Sequence, residues 1–109
     1  MIKPIFITAE IAQAHDGSLG ILYSLLDAAA KAGVDGIKFQ VHIADSESSK
    51  FDEFRKNFSL VDKSRYEYWK RMELSISEWK NIKLRCEELN VEFLATPFSL
   101  KAVDMLESI

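Results

Sequence analysis

Cysteine occurs once in this 109-residue chain, at Cys86, so no internal disulfide and no cysteine-built metal centre can form within it. That scarcity fits a reducing, cytoplasmic setting. With four glycines and two prolines there is no Gly/Pro/Ser linker, and residues 1–109 read as one domain unit. Charge of one sign is also missing: the formal net charge is −3, without the basic excess that a nucleic-acid partner calls for. No apolar run approaches the roughly 20 residues of a membrane span, and Met1-Ile2-Lys3-Pro4 lacks the basic and then long apolar regions of a signal peptide. What remains is the composition of an ordinary globular protein, 48% hydrophobic and 28% charged.

Pattern along the chain alternates between strand and helix. The run from Pro4 to Ala9 is short, nearly unbroken and rich in β-branched residues, as a strand covered on both faces would be. A polar stretch, Glu10 to Ser18, closes on Asp16-Gly17-Ser18, a turn followed by a helix cap. Leu22, Leu25, Leu26, Ala29 and Ala32 then recur at helical spacing, and Gly33 stands where the helix should end in a left-handed residue. A second strand is expected over Gly36-Ile37-Lys38-Phe39-Gln40, completing a right-handed βαβ unit.

From Val41 to Leu74 the pattern loosens. Residues 45–50 read as a polar loop, and Ser64 to Met72 as a short helix with a Ser64…Glu67 capping box. A long insertion after a strand is either functional or a surface loop packing its own aromatics. Ser75 and Glu78 form a second capping box, opening a helix whose buried stripe is Trp79, Ile82, Cys86 and Leu89 and which Asn90 ends. Val91 to Ala95 reads as a third strand, and a last helix buries Ala102, Val103 and Leu106.

Three strands alternating with helices indicate an α/β fold with a parallel sheet, either an open doubly wound sheet or the N-terminal portion of a barrel. Three strands build only part of either, so the sequence is expected to be a fragment that self-associates through its open edges, as a homo-oligomer, and is inactive alone.

Ligands of parallel α/β folds bind beyond the carboxyl ends of the strands. Each strand carries a polar residue at that end: Glu10 after the first, Lys38 and Gln40 on the second, Thr96 after the third. Lys38 interrupts an apolar strand, where an unpaired charge costs several kcal/mol unless it meets a partner or an anion. The alternatives are an ammonium that reaches solvent along its stem and a Schiff-base nucleophile. Glu10 suits a general base or a hydroxyl-orienting group, or a simple partner for Lys38. Gln40 suits either substrate hydrogen bonding or a structural role. Thr96, before Pro97 and a helix start, suits capping, ligand binding or both. His15 beside Asp16 reads as a solvent-exposed turn residue, since two such groups are too few for a catalytic metal. His42 reads as a loop residue and Cys86 as core packing.

In order and approximate spacing, Ala9-Glu10-Ile11, His15-Asp16-Gly17, Ala32 to Gln40 and Leu94-Ala95-Thr96-Pro97-Phe98 resemble the sialic acid synthase (N-acetylneuraminate synthase) family of nonulosonic acid synthases. Tyr66 to Ser75 is similar to the family's short helix before its second barrel helix. The resemblance implies a TIM (β/α)8 barrel, of which this chain holds about three βα units. It also implies a transferase of carbohydrate biosynthesis that condenses phosphoenolpyruvate with an N-acetylated aldose such as N-acetylmannosamine, releasing phosphate. By position, Lys38 and Thr96 would hold phosphoenolpyruvate, while Glu10 and Gln40 would contact the sugar or the attacking water. A divalent metal, Mn2+ or Mg2+, is implied for the full-length parent, with its histidine ligands later in the barrel and none in this chain. Ala14 in place of the family's asparagine, and Val41 in place of its threonine, point to a divergent branch. Another phosphoenolpyruvate-using or aldolase-type barrel, or a non-catalytic α/β interaction module, are the alternatives.

Overall fold

Local capping decides where the helices begin. Ser18 accepts a hydrogen bond from the Ile21 N–H at 3.2 Å and opens α1, Leu19–Lys31. Ser75 and Glu78 exchange reciprocal bonds of 3.2 and 2.6 Å at the start of the equally long helix Ile76–Glu88, as their spacing predicts. Ser64 caps the Glu67 N–H in the same way, but Glu67 takes the Lys63 N–H instead of its own cap's, so that box is half formed. Gly33 (φ 92°) and Asn90 (φ 55°) take the left-handed conformations that end the two long helices.

The computed structural model describes residues 5–109, so Met1 to Pro4, read for a leader and for the first strand's start, fall outside it. In chain order the elements are β1 (Thr8–Ala12), α1 (Leu19–Lys31), β2 (Gly36–Val41), α2 (Ala44–Glu47), α3 (Arg65–Met72), α4 (Ile76–Glu88), β3 (Glu92–Pro97) and α5 (Leu100–Glu107). The strands form one parallel sheet in the order β1-β2-β3.

Several boundaries differ from the sequence pattern. β1 begins at Thr8 because its ladder partner begins at Gly36, leaving Ile5, Phe6 and Ile7 exposed ahead of it. Glu10 therefore lies within the strand and not after it. β3 runs through Thr96 and Pro97, a proline tolerated at the end of a strand on the sheet's edge. The stretch read as a loop after β2 holds the single turn α2.

One face of the sheet carries the core. Ile37, Phe39 and Val41, alternating along β2, are fully buried with Leu22 and Leu26 of α1 and Trp79, Ile82 and Cys86 of α4. The Phe39 ring meets Trp79 edge-on at 5.8 Å and stacks on Phe93 at 5.7 Å. Cys86 is the core residue its place in the stripe predicts, and burial pushes its thiol up to about 11. The first strand, expected to be covered on both faces, has Thr8 and Glu10 exposed on the other, and among the described residues that face is closed only around His42.

The turn between β1 and α1 is held from a distance. Arg71 of α3 donates to the Asp16 carbonyl and carboxylate, both at 2.8 Å, and forks onto Asp62 at 2.7–3.1 Å. Gly17 sits beneath this clamp with φ 79°, and a Cβ there would lie 2.5 Å from the Arg71 carbonyl oxygen. Only glycine fits both its conformation and its space.

Candidate active site

Parallel register places the candidate residues on the face that the helices leave open. Glu10 pairs with Lys38 and Lys38 with Leu94, while Gln40 pairs with Thr96. Lys38 and Gln40 have the opposite parity to Ile37, Phe39 and Val41, so they point away from the core. Glu10, Lys38, Gln40 and Thr96 thus share one face, towards the carboxyl ends of three neighbouring parallel strands.

Lys38 does not carry the cost of a buried charge. Its side chain is 42% exposed and its Nζ lies 3.5 Å from Glu10 Oε2, itself 47% exposed. A pair so open to water is worth at most about 1 kcal/mol, so it leaves both groups free to exchange partners for a ligand. Thr96 does not cap the following helix. Ser99 does, accepting the Ala102 N–H at 3.1 Å, because β3 continues past Thr96 before the chain turns.

A kink in β1 shapes the rim. The pairing with β2 shifts between Glu10 and Ala12, and Ala12 adopts a left-handed φ of 50°. The chain beyond it bends so that the Gln13 amide reaches His42, at 2.9 Å from Nε2.

His42 is the residue that the sequence reading missed. It lies in the loop between β2 and α2, as read, but is 3% exposed, directly beyond β2 on the side of Lys38 and Gln40. Its ring is stacked between Trp69 of α3, with centroids 3.9 Å apart, and Phe98 after β3, at 4.4 Å. Nδ1 meets Glu47 Oε1 at 2.7 Å, and Nε2 meets Gln40 Oε1 at 2.9 Å. The other Glu47 oxygen accepts the Ile43 N–H at 2.7 Å. One signal in the sequence pointed to it: Lys38, Gln40 and His42 continue a period of two.

His15, expected in solvent, is 1% exposed. The α3 segment clamped by Arg71 closes over its turn, and its Nδ1 accepts the Gly17 N–H at 3.0 Å. Desolvation holds its pKa below the usual histidine value, opposed by the neighbouring Asp16 and reinforced by His42. His15 is therefore a neutral, structural ring. Among the described residues no group of three His, Cys, Asp or Glu side chains is placed to hold a metal ion. With His42 bonded at both nitrogens and His15 at Nδ1, the divalent ion implied by the family resemblance does not fit the residues present.

Two clefts flank this arrangement. One of about 420 Å³ lies beside Trp69, between Phe54 and Phe58 and the cations Arg55, Lys56 and Arg65. Another of about 580 Å³ opens at the opposite end of the sheet, against Phe6, Val34, Asp35 and Glu92. That end of a parallel α/β sheet serves stability rather than catalysis.

Comparison with known proteins decides the family. A model of the NeuB family matches residues 25–109. The chain belongs to the NeuB family. It is 31% identical to an N,N'-diacetyllegionaminic acid synthase of Campylobacter jejuni, over 99% of this chain and 33% of that protein. It is 38% identical to the spore coat polysaccharide biosynthesis protein SpsE of Bacillus subtilis, over 96% of this chain and 28% of that protein. In three dimensions it matches the N-acetylneuraminic acid (sialic acid) synthetase of Leptospira borgpetersenii, solved with citrate. That match has a TM-score of 0.73 at 28% identity, over 97% of this chain and 33% of that one. This NeuB-family chain thus spans about a third of the length of the relatives it matches. Among its described residues no helix is long and apolar enough to cross a membrane.

Proposed function

We propose that these 109 residues form the N-terminal three βα units of a TIM (β/α)8 barrel that makes a nonulosonic acid. The substrates are phosphoenolpyruvate and an N-acetylated aldose, N-acetylmannosamine or a relative, and the setting is cytoplasmic carbohydrate biosynthesis. The observation that carries this reading is the gathering of Glu10, Lys38, Gln40 and Thr96 on one open face of a NeuB-family sheet.

In the proposed reaction C3 of the enolpyruvate bonds to the aldehyde carbon of the open-chain sugar, whose oxygen takes a proton. A water oxygen joins C2, the C2–O bond to phosphate breaks, and a 2-keto acid and inorganic phosphate result. Lys38 supplies positive charge to the anionic phosphoenolpyruvate, with the Thr96 hydroxyl as a hydrogen-bond donor beside it. Glu10, released from Lys38 when the anion binds, orients the sugar or accepts a proton from the attacking water. Gln40 fixes a sugar or water oxygen. Any Mn2+ or Mg2+ ion would be held by residues outside this chain, and no step assigned here runs through it. The rest of the barrel, and association between copies, would cover the open sheet edges.

The test is to express the longer protein that carries this chain and supply phosphoenolpyruvate, N-acetylmannosamine or its 2,4-diacetamido relatives, and manganese. Stoichiometric release of phosphate with formation of a 2-keto acid is the expected result. Consumption of phosphoenolpyruvate without a new carbon–carbon bond, or capture of a borohydride-reducible adduct on Lys38, would replace this reading with another barrel chemistry.

A further inference from the structure

A cationic cleft stands out on a chain whose formal net charge is −3. Arg55, Lys56 and Arg65 line the space of about 420 Å³ beside Trp69, and no acidic side chain shares its walls. Among the described residues none of these cations lies within ion-pair reach of a carboxylate. Arg71 and Arg85, by contrast, fork onto Asp62 and Asp27. Asp52 senses the charge of Arg65, but its oxygens are already taken by Ser48 and Ser49. Like charges around one concavity repel each other, and its low-dielectric walls focus their field on a counter-anion.

The rest of the wall is aromatic. Phe54 and Phe58 meet edge-on with centroids 5.1 Å apart, and both pack against Tyr68. Phe58 remains 61% exposed, a large ring with open space beside it. Trp69 completes the wall, its indole fixed by the His42 ring stacked on it at 3.9 Å. Arg71 ties α3, which carries Arg65 and Trp69, to Asp16 of the β1–α1 turn. The helical side of the cleft is therefore held in place without a ligand.

We infer that this cleft binds a nucleoside monophosphate, with the phosphate among Arg55, Lys56 and Arg65 and the base against Trp69 and the phenylalanine rings. A phosphate carries nearly two negative charges at neutral pH, and guanidinium groups take its oxygens in pairs. A flat base lays a π-face on an aromatic side chain, which a bare phosphate cannot do. The volume falls in the range of roughly 300–1,000 Å³ typical of small-molecule sites. Lys38, Gln40 and Thr96 do not line this cleft, so it is additional to the open face and does not rest on the function proposed above.

The experiment is a calorimetric titration of the longer protein that carries this chain, at low salt and without phosphoenolpyruvate or sugar. The probes are cytidine and adenosine monophosphates, with cytidine, adenosine and inorganic phosphate as controls. At least one nucleotide should bind about tenfold or more tightly than its nucleoside or inorganic phosphate, and added salt should weaken it. The double variant Arg55→Ala/Arg65→Ala, made at exposed side chains outside the core, should lose about tenfold or more of that affinity. Lys38→Ala should leave it unchanged, which separates this cleft from the anion site proposed on the open face. Nucleotide binding that survives the double variant, or that disappears in Lys38→Ala, overturns the inference. So does inorganic phosphate that binds as tightly as either nucleotide, the mark of a simple anion patch. Failure of both nucleotides to bind also overturns it, as when an acidic segment of the longer protein already covers the cations. No condensation substrate takes part, so failure here leaves the proposed reaction standing, and failure of the condensation assay leaves this site standing.

Discussion

The two faces of one sheet divide the labour of this protein. On one, Ile37, Phe39 and Val41 lie at zero exposure under α1 and α4, where every side chain has an apolar neighbour. On the other, Lys38 pairs with Glu10 and Gln40 meets His42, at the edge of solvent. Strand pleat brings residues of opposite purpose within one position of each other. Replacing one tests folding; replacing its neighbour tests function.

Phe39→Ala and Lys38→Ala sharpen that contrast most. Phe39→Ala should lower unfolding free energy by about 3–5 kcal/mol, the usual cost of removing a fully buried aromatic ring. Lys38→Ala should cost less than about 1 kcal/mol, since its ion pair with Glu10 is half exposed. Urea unfolding of the two variants side by side reads the difference, and equal losses would mean that the open face is part of the core.

Next in size is Gly17→Ala. A left-handed alanine costs roughly 1–2 kcal/mol by itself, and its Cβ would also strike the Arg71 carbonyl. A loss above about 2 kcal/mol is expected, together with looser packing of α3 over the rim. Thermal unfolding and proteolysis within residues 51–64 would detect both effects.

The smallest effect is a dependence on pH. Burial depresses the His15 pKa in the folded state, so the unfolded chain binds the proton more readily. The stabilisation from a neutral His15 is complete above the unfolded value of 6.5 and is lost as pH falls from there towards the depressed folded value. The slope cannot exceed about 1.4 kcal/mol per pH unit for one group. His15→Gln should flatten stability in that window, where the carboxylates held low by their partners, such as Asp62 beside Arg71, do not yet titrate. An unchanged slope in the variant would assign the dependence elsewhere.

Much of this was legible from residue order. Cap serines start α1, α3 and α4, with a glutamate three residues on in the last two, and the buried stripe of α4 follows its apolar spacing. The four polar residues of the open face were visible because parallel strands expose their ends in a common direction. The surroundings of the two histidines were hidden for a different reason. His15 sits beside Asp16, which Arg71 clamps from 55 positions away, and His42 is enclosed by rings from α3 and from beyond β3. Local pattern carries no trace of such distant partners. Ending β2 at Gln40 also cut off the alternation two residues before it reached His42. For Thr96 the following proline suggested the end of a strand, whereas an edge position lets β3 run on to Pro97 and leaves capping to Ser99.

The most direct measurement is the kinetics of Lys38→Ala in the longer protein, with thermal stability recorded on the same sample. A charge-assisted bond to the anion is worth about 1.5–3 kcal/mol, so kcat/KM for phosphoenolpyruvate should fall by roughly one to two decades. Unfolding should stay close to that of the unmodified protein, and KM for the sugar should change far less. Unchanged kinetics for phosphoenolpyruvate in a stably folded Lys38→Ala protein would contradict the assignment of this face to the anionic substrate.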